Sequence, residues 1–298
     1  MKTLCYLVEA ALAWIVFGLF RLLPLDAASW TGGWLGRKIG PFLGGSKTAR
    51  RNLSRAFPDK SPAEIEEIVT AMWDNLGRVM GEYPHLNAMK TVDARTLKED
   101  EKTPRIIVKG LENVEFMRHS DKSGIFFSGH LGHWEINAMG GVQHLLPLTL
   151  VYRAPNNPYT DGLIRYSRRN ITRDFAAKGS QGGRHSIEVL REGGHLALLA
   201  DQKMNDGIPV PFFGRDAMTA PAPAKLAMKF DCHLLPAHIV RTGGANFRMI
   251  FSPPLDIPRT GDRQKDTQAI MTAINGLIEG WVREHPEQWM WVHRRWPD

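Results

Sequence analysis

From about residue 105 onward the chain alternates short apolar runs with segments of helical period. RIIVKG precedes LENVEFMRH, GIFFSG precedes LGHWEINAMGGVQ, and PLTLVYR precedes YTDGLIRYSRRN. SIEVLREG then leads into HLALLADQ, and APAKLAMKF into HLLPAHIVR. Strand-length apolar runs alternating with helical segments predict an α/β fold, with a central, mostly parallel or mixed sheet flanked by helices. Upstream, SPAEIEEIVTAMWDNLGRVM opens with Ser61 and Glu64 at capping-box spacing and Pro62 at the first helical position. Its Ile65, Ile68, Val69, Met72, Trp73, Leu76, Val79 and Met80 fall on one stripe, which predicts a helix with one core face. Ile270, Ala273, Ile274, Leu277, Ile278, Trp281 and Val282 form a second such stripe near the C-terminus. No repeat and no linker-like stretch interrupts residues 60–298.

The N-terminus follows neither period. Residues 4–20, LCYLVEAALAWIVFGLF, are apolar apart from Glu9. As a helix they would cover roughly 25 Å, slightly less than a hydrocarbon core. Arg21, Arg37, Lys38, Lys47, Arg50, Arg51 and Arg55 follow against Asp26, whereas only Lys2 precedes. The positive-inside rule then puts the body on the cytoplasmic side of a membrane. A cleaved signal peptide ahead of DAAS, or a buried core helix, are the competing readings. The expected division is a membrane-anchoring helix at 1–24 and one catalytic-size domain at 25–298.

Composition is that of a globular protein, 43% hydrophobic and 23% charged. The net charge of +7 favours an anionic partner: nucleic acid, an acidic membrane face, or a phosphorylated or acidic substrate. Cys5 and Cys232 have no metal-type or disulfide-framework spacing, which points to a reducing compartment.

The densest chemistry lies in SGHLGHWE, residues 128–135, where the apolar run GIFFS gives way to a helical segment. In open α/β sheets ligands bind beyond the carboxyl ends of strands, so His130 and Glu135 stand at a favoured place. On one continuous helix a five-residue separation turns the two side chains ~140–150° apart. They meet only if His130 precedes the helix. In that arrangement Glu135 would hold one imidazole nitrogen and leave the other free to take a proton. A metal site using His130 and His133 lacks further ligands at suitable spacing, and a structural role for both histidines is the remaining reading. There is no P-loop and no GxSxG elbow, so no covalent acyl-enzyme is signalled. A base without an enzyme nucleophile suits a reaction whose nucleophile is the substrate's own hydroxyl.

His-x4-Glu at a strand–helix junction resembles the His-x4-Asp/Glu motif of the lysophospholipid acyltransferase superfamily. The surrounding blocks resemble its lipid A biosynthesis late acyltransferases, the lauroyl and myristoyl transferases: NLSRAFPDKSPAEI (52–65), YRAPNNP (152–158), ADQ (200–202) with VPFFG (210–214), and PEQWMWVHRRW (286–296). The likeness covers nearly the whole chain. One departure is His133, where the family pattern GHLGNWE has Asn. The resemblance implies His130 as general base and Glu135 as its orienting carboxylate. By motif order it also implicates Arg168, among Arg165 and Arg169, and Asp201, with Arg153 and the weaker Gln202 nearby. It further implies acyl carrier protein as donor and a Kdo-bearing anionic glycolipid as acceptor. It implies no metal or organic cofactor, no nucleic acid, and work at the cytoplasmic face of a bacterial inner membrane among its lipids. Other branches would acylate a phosphatidylinositol mannoside, a lysophospholipid or an ornithine lipid, with coenzyme A as a further donor. His195, His238 and His293 are expected to be structural or surface residues. Trp289, Trp291 and Trp296 belong either in the core or at a headgroup layer.

Overall fold

The computed structural model of the protein describes residues 2–98 and 103–296; the parts of the expected acyltransferase region at 99–102 and 297–298 lie outside the described residues. Four helices come first: α1 (Lys2–Leu22), α2 (Leu25–Ile39), α3 (Gly44–Ala56) and α4 (Pro62–Glu82). The anticipated capping box starts α4, Ser61 accepting from the Glu64 amide while Glu64 accepts from the Ser61 amide. Where α2 crosses α4 the backbones touch. A methyl group on Gly36 would lie 2.0 Å from the Trp73 carbonyl oxygen, and one on Gly77 2.1 Å from that of Gly32.

The α/β body follows as β1 (Thr91–Asp93), β2 (Ile106–Lys109), α5 (Leu111–His119), β3 (Gly124–Ser128), α6 (Asn137–Val142) and β4 (Thr149–Tyr152). Next come α7 (Pro158–Arg168), β5 (Phe175–Ala177), α8 (Ser180–Arg191), β6 (His195–Leu199), β7 (Lys203–Phe212) and β8 (Arg215–Thr219). The chain closes with α9 (Ala222–Phe230), β9 (His233–Gly243), β10 (Asn246–Phe251) and α10 (Arg263–Glu284). Eight strands form one sheet in the order β1-β2-β10-β9-β3-β6-β4-β5, and β7–β8 is a separate antiparallel ribbon. Among the described residues only the β9–β10 pair is antiparallel within the large sheet. The mostly parallel α/β fold read from the sequence is therefore the fold observed.

The strand β3 lies centrally, between β9 and β6, and all five of its residues are buried. This is why GIFFS reads as an unbroken apolar run. Its alternate side chains serve two cores. Ile125 and Phe127 join one with α10, α4 and the C-terminal tryptophans, and Phe126 joins the other with α5, α6 and β10.

Along α1, Thr3–Leu22 is long and apolar enough to cross a membrane. Leu4, Leu7, Val8, Leu12, Ile15, Val16, Leu19 and Leu22 are exposed on it. The helix does not stand free of the body. Trp14 and Phe17 meet Tyr166 of α7 with ring centroids 5.7 and 6.1 Å away. The Phe20 carbonyl lies 3.0 Å from His85 Nε2, in the 3-10 turn Tyr83–Ala88 after α4.

Candidate active site

Residues 129–133 form a loop between β3 and a 3-10 turn, Trp134–Ile136, that runs into α6. Gly132 adopts φ +57°, and a Cβ there would fall 2.4 Å from the Ile239 carbonyl oxygen, so glycine is required. The C-terminal segment clamps the loop. The Gly132 amide donates to the Gln288 carbonyl (3.0 Å), and the Met290 amide to the His130 carbonyl (3.1 Å). From α4, Asn75 Nδ2 donates to both the Gly132 and Gln288 carbonyls.

His130 Nδ1 lies 2.7 Å from Asp201 Oδ1, and the His130 backbone amide donates to Asp201 Oδ2 (2.6 Å). Trp289 Nε1 donates to the same Oδ2 (2.7 Å). Asp201 has no exposed surface, while the His130 side chain keeps 13%. Burial alone would drive the Asp201 carboxyl towards its neutral form. The imidazole of His130 and the hydrogen bonds it receives outweigh that and hold it well below the usual carboxylate range. A proton on Nδ1 directed at a carboxylate leaves the Nε2 lone pair free to accept another. Gln202 Nε2 lies 3.3 Å from that atom.

Glu135 does not contact His130 as the spacing argument expected. Its carboxylate accepts from Arg168 Nε and NH2, both at 2.7 Å, and from Trp134 Nε1 at 3.1 Å. Glu135 belongs to a 3-10 turn that aims it at α7, and Trp134 stands between, its ring centroid 5.3 Å from that of His130. The carboxylate that orients His130 is thus that of Asp201. Tyr83 completes the Glu135–Arg168 group. Burial pushes its phenol far above the ordinary value, and Glu135 adds to the effect. Burial works against the Arg168 charge, but Glu135 and Tyr83 more than compensate, so this guanidinium stays charged.

The three arginines of this helix end differ in their partners. Arg165 pairs with Asp161 and Tyr152, and Arg169 lies over its own helix neighbour Tyr166, so Arg168 alone of the three reaches Glu135. Arg153 follows β4 as an exposed residue, with no hydrogen bond or ion pair among the described residues. His133 points away from His130. It is fully buried, 3.6 Å from Glu82 and against Phe247, while Glu82 is held by Arg241 and Ser29. Burial and Arg241 keep this imidazole well below its ordinary pKa. A shared His130–His133 metal site does not fit this geometry, and no group of three or more metal-type side chains occurs among the described residues.

His195, His238 and His293 are buried or nearly so, and none contacts His130 Nε2. Trp289, Trp291 and Trp296 are buried core residues rather than headgroup anchors. Beyond the sequence expectations, Trp289 and Tyr83 are part of the site. The C-terminal block pointed to Trp289 without a role, whereas nothing in local spacing marked Tyr83.

A family model described as bacterial lipid A biosynthesis acyltransferase matches residues 2–298. A lipid A biosynthesis acyltransferase of Haemophilus influenzae is 26% identical, covering 86% of this chain and 78% of that protein. The lipid A biosynthesis myristoyltransferase of Escherichia coli K12 is 27% identical over 86% and 77%. A phosphatidylinositol mannoside acyltransferase of Mycobacterium tuberculosis is 26% identical over 85% and 78%. Among solved structures, the 1-acyl-sn-glycerophosphate acyltransferase of Thermotoga maritima aligns with TM-score 0.38 and 15% identity, over 89% of this chain and 96% of that one. With the match running from residue 2 to residue 298, the chain belongs to the bacterial lipid A biosynthesis acyltransferase family.

Proposed function

We propose that this acyltransferase moves a fatty acyl group from an acyl carrier protein thioester to a hydroxyl of a Kdo-bearing lipid A precursor. The observation that carries the reading is the 2.7 Å contact of His130 Nδ1 with the buried Asp201 carboxylate. It fixes the tautomer and leaves Nε2 at the open side of the loop. The acceptor hydroxyl displaces the Gln202 amide and gives its proton to Nε2 as its oxygen attacks the thioester carbonyl carbon. Asp201 stabilises the imidazolium. The carbon–sulfur bond breaks, and the departing thiolate takes the proton back from Nε2. The nucleophile is the acceptor's own, so no acyl-enzyme forms and no organic cofactor is called for. Arg168, locked by Glu135, is a fixed cation that aligns the anionic acceptor for attack. The net charge of +7 suits both an acidic carrier protein and a phosphorylated lipid. The exposed apolar face of α1, with the basic residues after it, suits the cytoplasmic side of an inner membrane.

A second reading keeps the chemistry and changes the acceptor. The mycobacterial phosphatidylinositol mannoside acyltransferase is 26% identical, against 27% for the myristoyltransferase, so identity does not separate the two acceptors. The test is acyl transfer from lauroyl-, myristoyl- and palmitoyl-carrier protein to a Kdo-bearing tetra-acyl lipid A precursor. Phosphatidylinositol mannoside, lysophospholipid and coenzyme A thioesters run in parallel, with wild type beside His130→Ala. Transfer to the Kdo lipid that the substitution abolishes supports the proposal. Transfer only to another lipid replaces the acceptor, and transfer that survives His130→Ala sinks the mechanism.

A further inference from the structure

Asn157 joins two elements that the acyl-transfer reading keeps apart. As N-cap of α7, its Oδ1 accepts from the Tyr159 amide (3.0 Å), and its carbonyl accepts from Thr160 Oγ1 (2.8 Å). Its Nδ2 turns the other way, donating to the Tyr6 carbonyl (2.8 Å) and to Glu9 Oε2 (3.1 Å) on α1. The residue is buried. Glu9, the one carboxylate in the apolar N-terminal run, thus has an assigned partner on the body. Further along α7, Tyr166 packs on Trp14 and Phe17 of α1, and Arg168 grips Glu135. Tyr83, beside that ion pair, opens the 3-10 turn whose His85 meets the Phe20 carbonyl of α1. One apolar helix therefore braces both elements that converge on the Glu135–Arg168 pair.

We infer that Asn157 is a positioning residue: through its bonds to α1 it sets α7, and with it Arg168, so that the membrane helix is part of the site's frame as well as an anchor. The inference rests on the acyl-transfer reading for its kinetic consequence but not for its structural one. A misplacement of about 1 Å at a catalytic constellation costs up to ~10²-fold in rate. A loosened but still formed α7 is expected to lose about tenfold in kcat with KM changed less than about twofold.

Asn157→Ser tests this cleanly, because serine caps a helix as well as asparagine does but cannot donate to both Tyr6 and Glu9. The full-length protein in detergent micelles is used throughout. In wild type against Asn157→Ser, hydrogen exchange is expected to rise in both α1 and α7 and to stay unchanged in α10. Glu9→Gln, which keeps an oxygen to accept from Nδ2, is expected to behave like wild type in exchange and rate. In an Arg168→Gln background, Asn157→Ser is expected to reduce kcat no further, since its effect passes through Arg168. Unchanged exchange in α7 overturns the inference whether or not any acyl transfer is found. So does a kcat loss that multiplies fully with that of Arg168→Gln. If exchange responds as expected but no acyl acceptor is turned over, the coupling stands and the reaction reading falls.

Discussion

His130 and Asp201 lie 71 positions apart in the chain, yet each sits two residues beyond a register-paired strand end. Ser128 of β3 is opposite Leu199 of β6, and parallel pairing carries the two chains out of the sheet side by side. The result is an Nδ1–Oδ1 distance of 2.7 Å. The carboxylate that matters most to the imidazole is thus supplied by sheet register rather than by local spacing. It is buried, and it takes hydrogen bonds from His130 Nδ1, the His130 amide and Trp289 Nε1.

Asp201→Asn keeps shape but removes the charge that fixes the tautomer and stabilises the imidazolium. Acyl transfer is expected to fall by ~10²–10⁴-fold, the range typical of losing general base assistance. The His130→Ala, Asp201→Asn double variant is expected to be no slower than His130→Ala alone, because the two residues act as one unit. Single-turnover rates for the two single variants and the double would decide it. A double variant slower by the product of the single losses means that Asp201 acts elsewhere.

Glu135 and Arg168 form a pair with side chains only 8% and 13% exposed. Removing one partner strands the other, which costs about 3–5 kcal/mol for a buried pair. Glu135→Gln is expected to lie near the lower end, since its amide still accepts one bond. Arg168→Met with Glu135→Leu is expected to recover part of the stability and none of the activity. Urea midpoints read beside acyl transfer check both halves. Full recovery of activity in the double variant would remove the pair from the site.

How much of this could be read in the sequence follows from which interactions are local. The strand β3 and helices α4 and α10 were legible because each carries its own period: an unbroken run in a doubly covered strand, or a helical stripe with its cap. The strands β1 and β5, three residues each, are too short to show a period. The β7–β8 ribbon hides behind Pro209 and Pro211, which an isolated two-stranded ribbon tolerates and a central strand does not. The motifs singled out His130, Arg168 and Asp201, and the structure puts Asp201 against His130 and Arg168 against Glu135. Which carboxylate holds the imidazole was not legible, because Glu135 is near in sequence and Asp201 is near only once β3 and β6 pair. Tyr83 and Trp289 reach the site from elements that no local pattern ties to it.

Trp289→Phe keeps one aromatic ring and deletes the indole donor to Asp201 Oδ2. Removing one of the carboxylate's donors weakens a charge-assisted bond of about 1.5–3 kcal/mol. Part of that loss is expected in activity, on the order of tenfold, through looser hold on His130. The bridge between Leu131 and Trp289 is made by backbone, so the loop stays clamped, while the gap left by the smaller ring at this buried position is expected to lower the thermal midpoint modestly. A large fall in the midpoint with unchanged activity in the remaining folded protein would make Trp289 a packing residue only.

Acid sensitivity is expected from histidines buried in neutral form, and His238 is the clearest case. It stacks on Trp281 with centroids 4.4 Å apart, and burial, with a smaller push from His285, lowers its pKa from 6.5 to about 4. Above 6.5 the ring is neutral in both folded and unfolded chains and contributes no pH dependence. As pH falls from 6.5 towards about 4, the unfolded chain takes up a proton that the folded one refuses. Stability therefore drops over that window, by up to about 3 kcal/mol at ~1.36 kcal/mol per pKa unit. Below about 4 the folded state protonates too, and this contribution levels off. His238→Phe keeps an aromatic ring on Trp281 and removes the titration. Urea unfolding at pH 7.5 and 4.5 is expected to show the variant close to wild type at the higher pH and more stable than wild type at the lower. An unchanged difference between the two proteins at both values would mean that His238 is charged or solvated in the folded state.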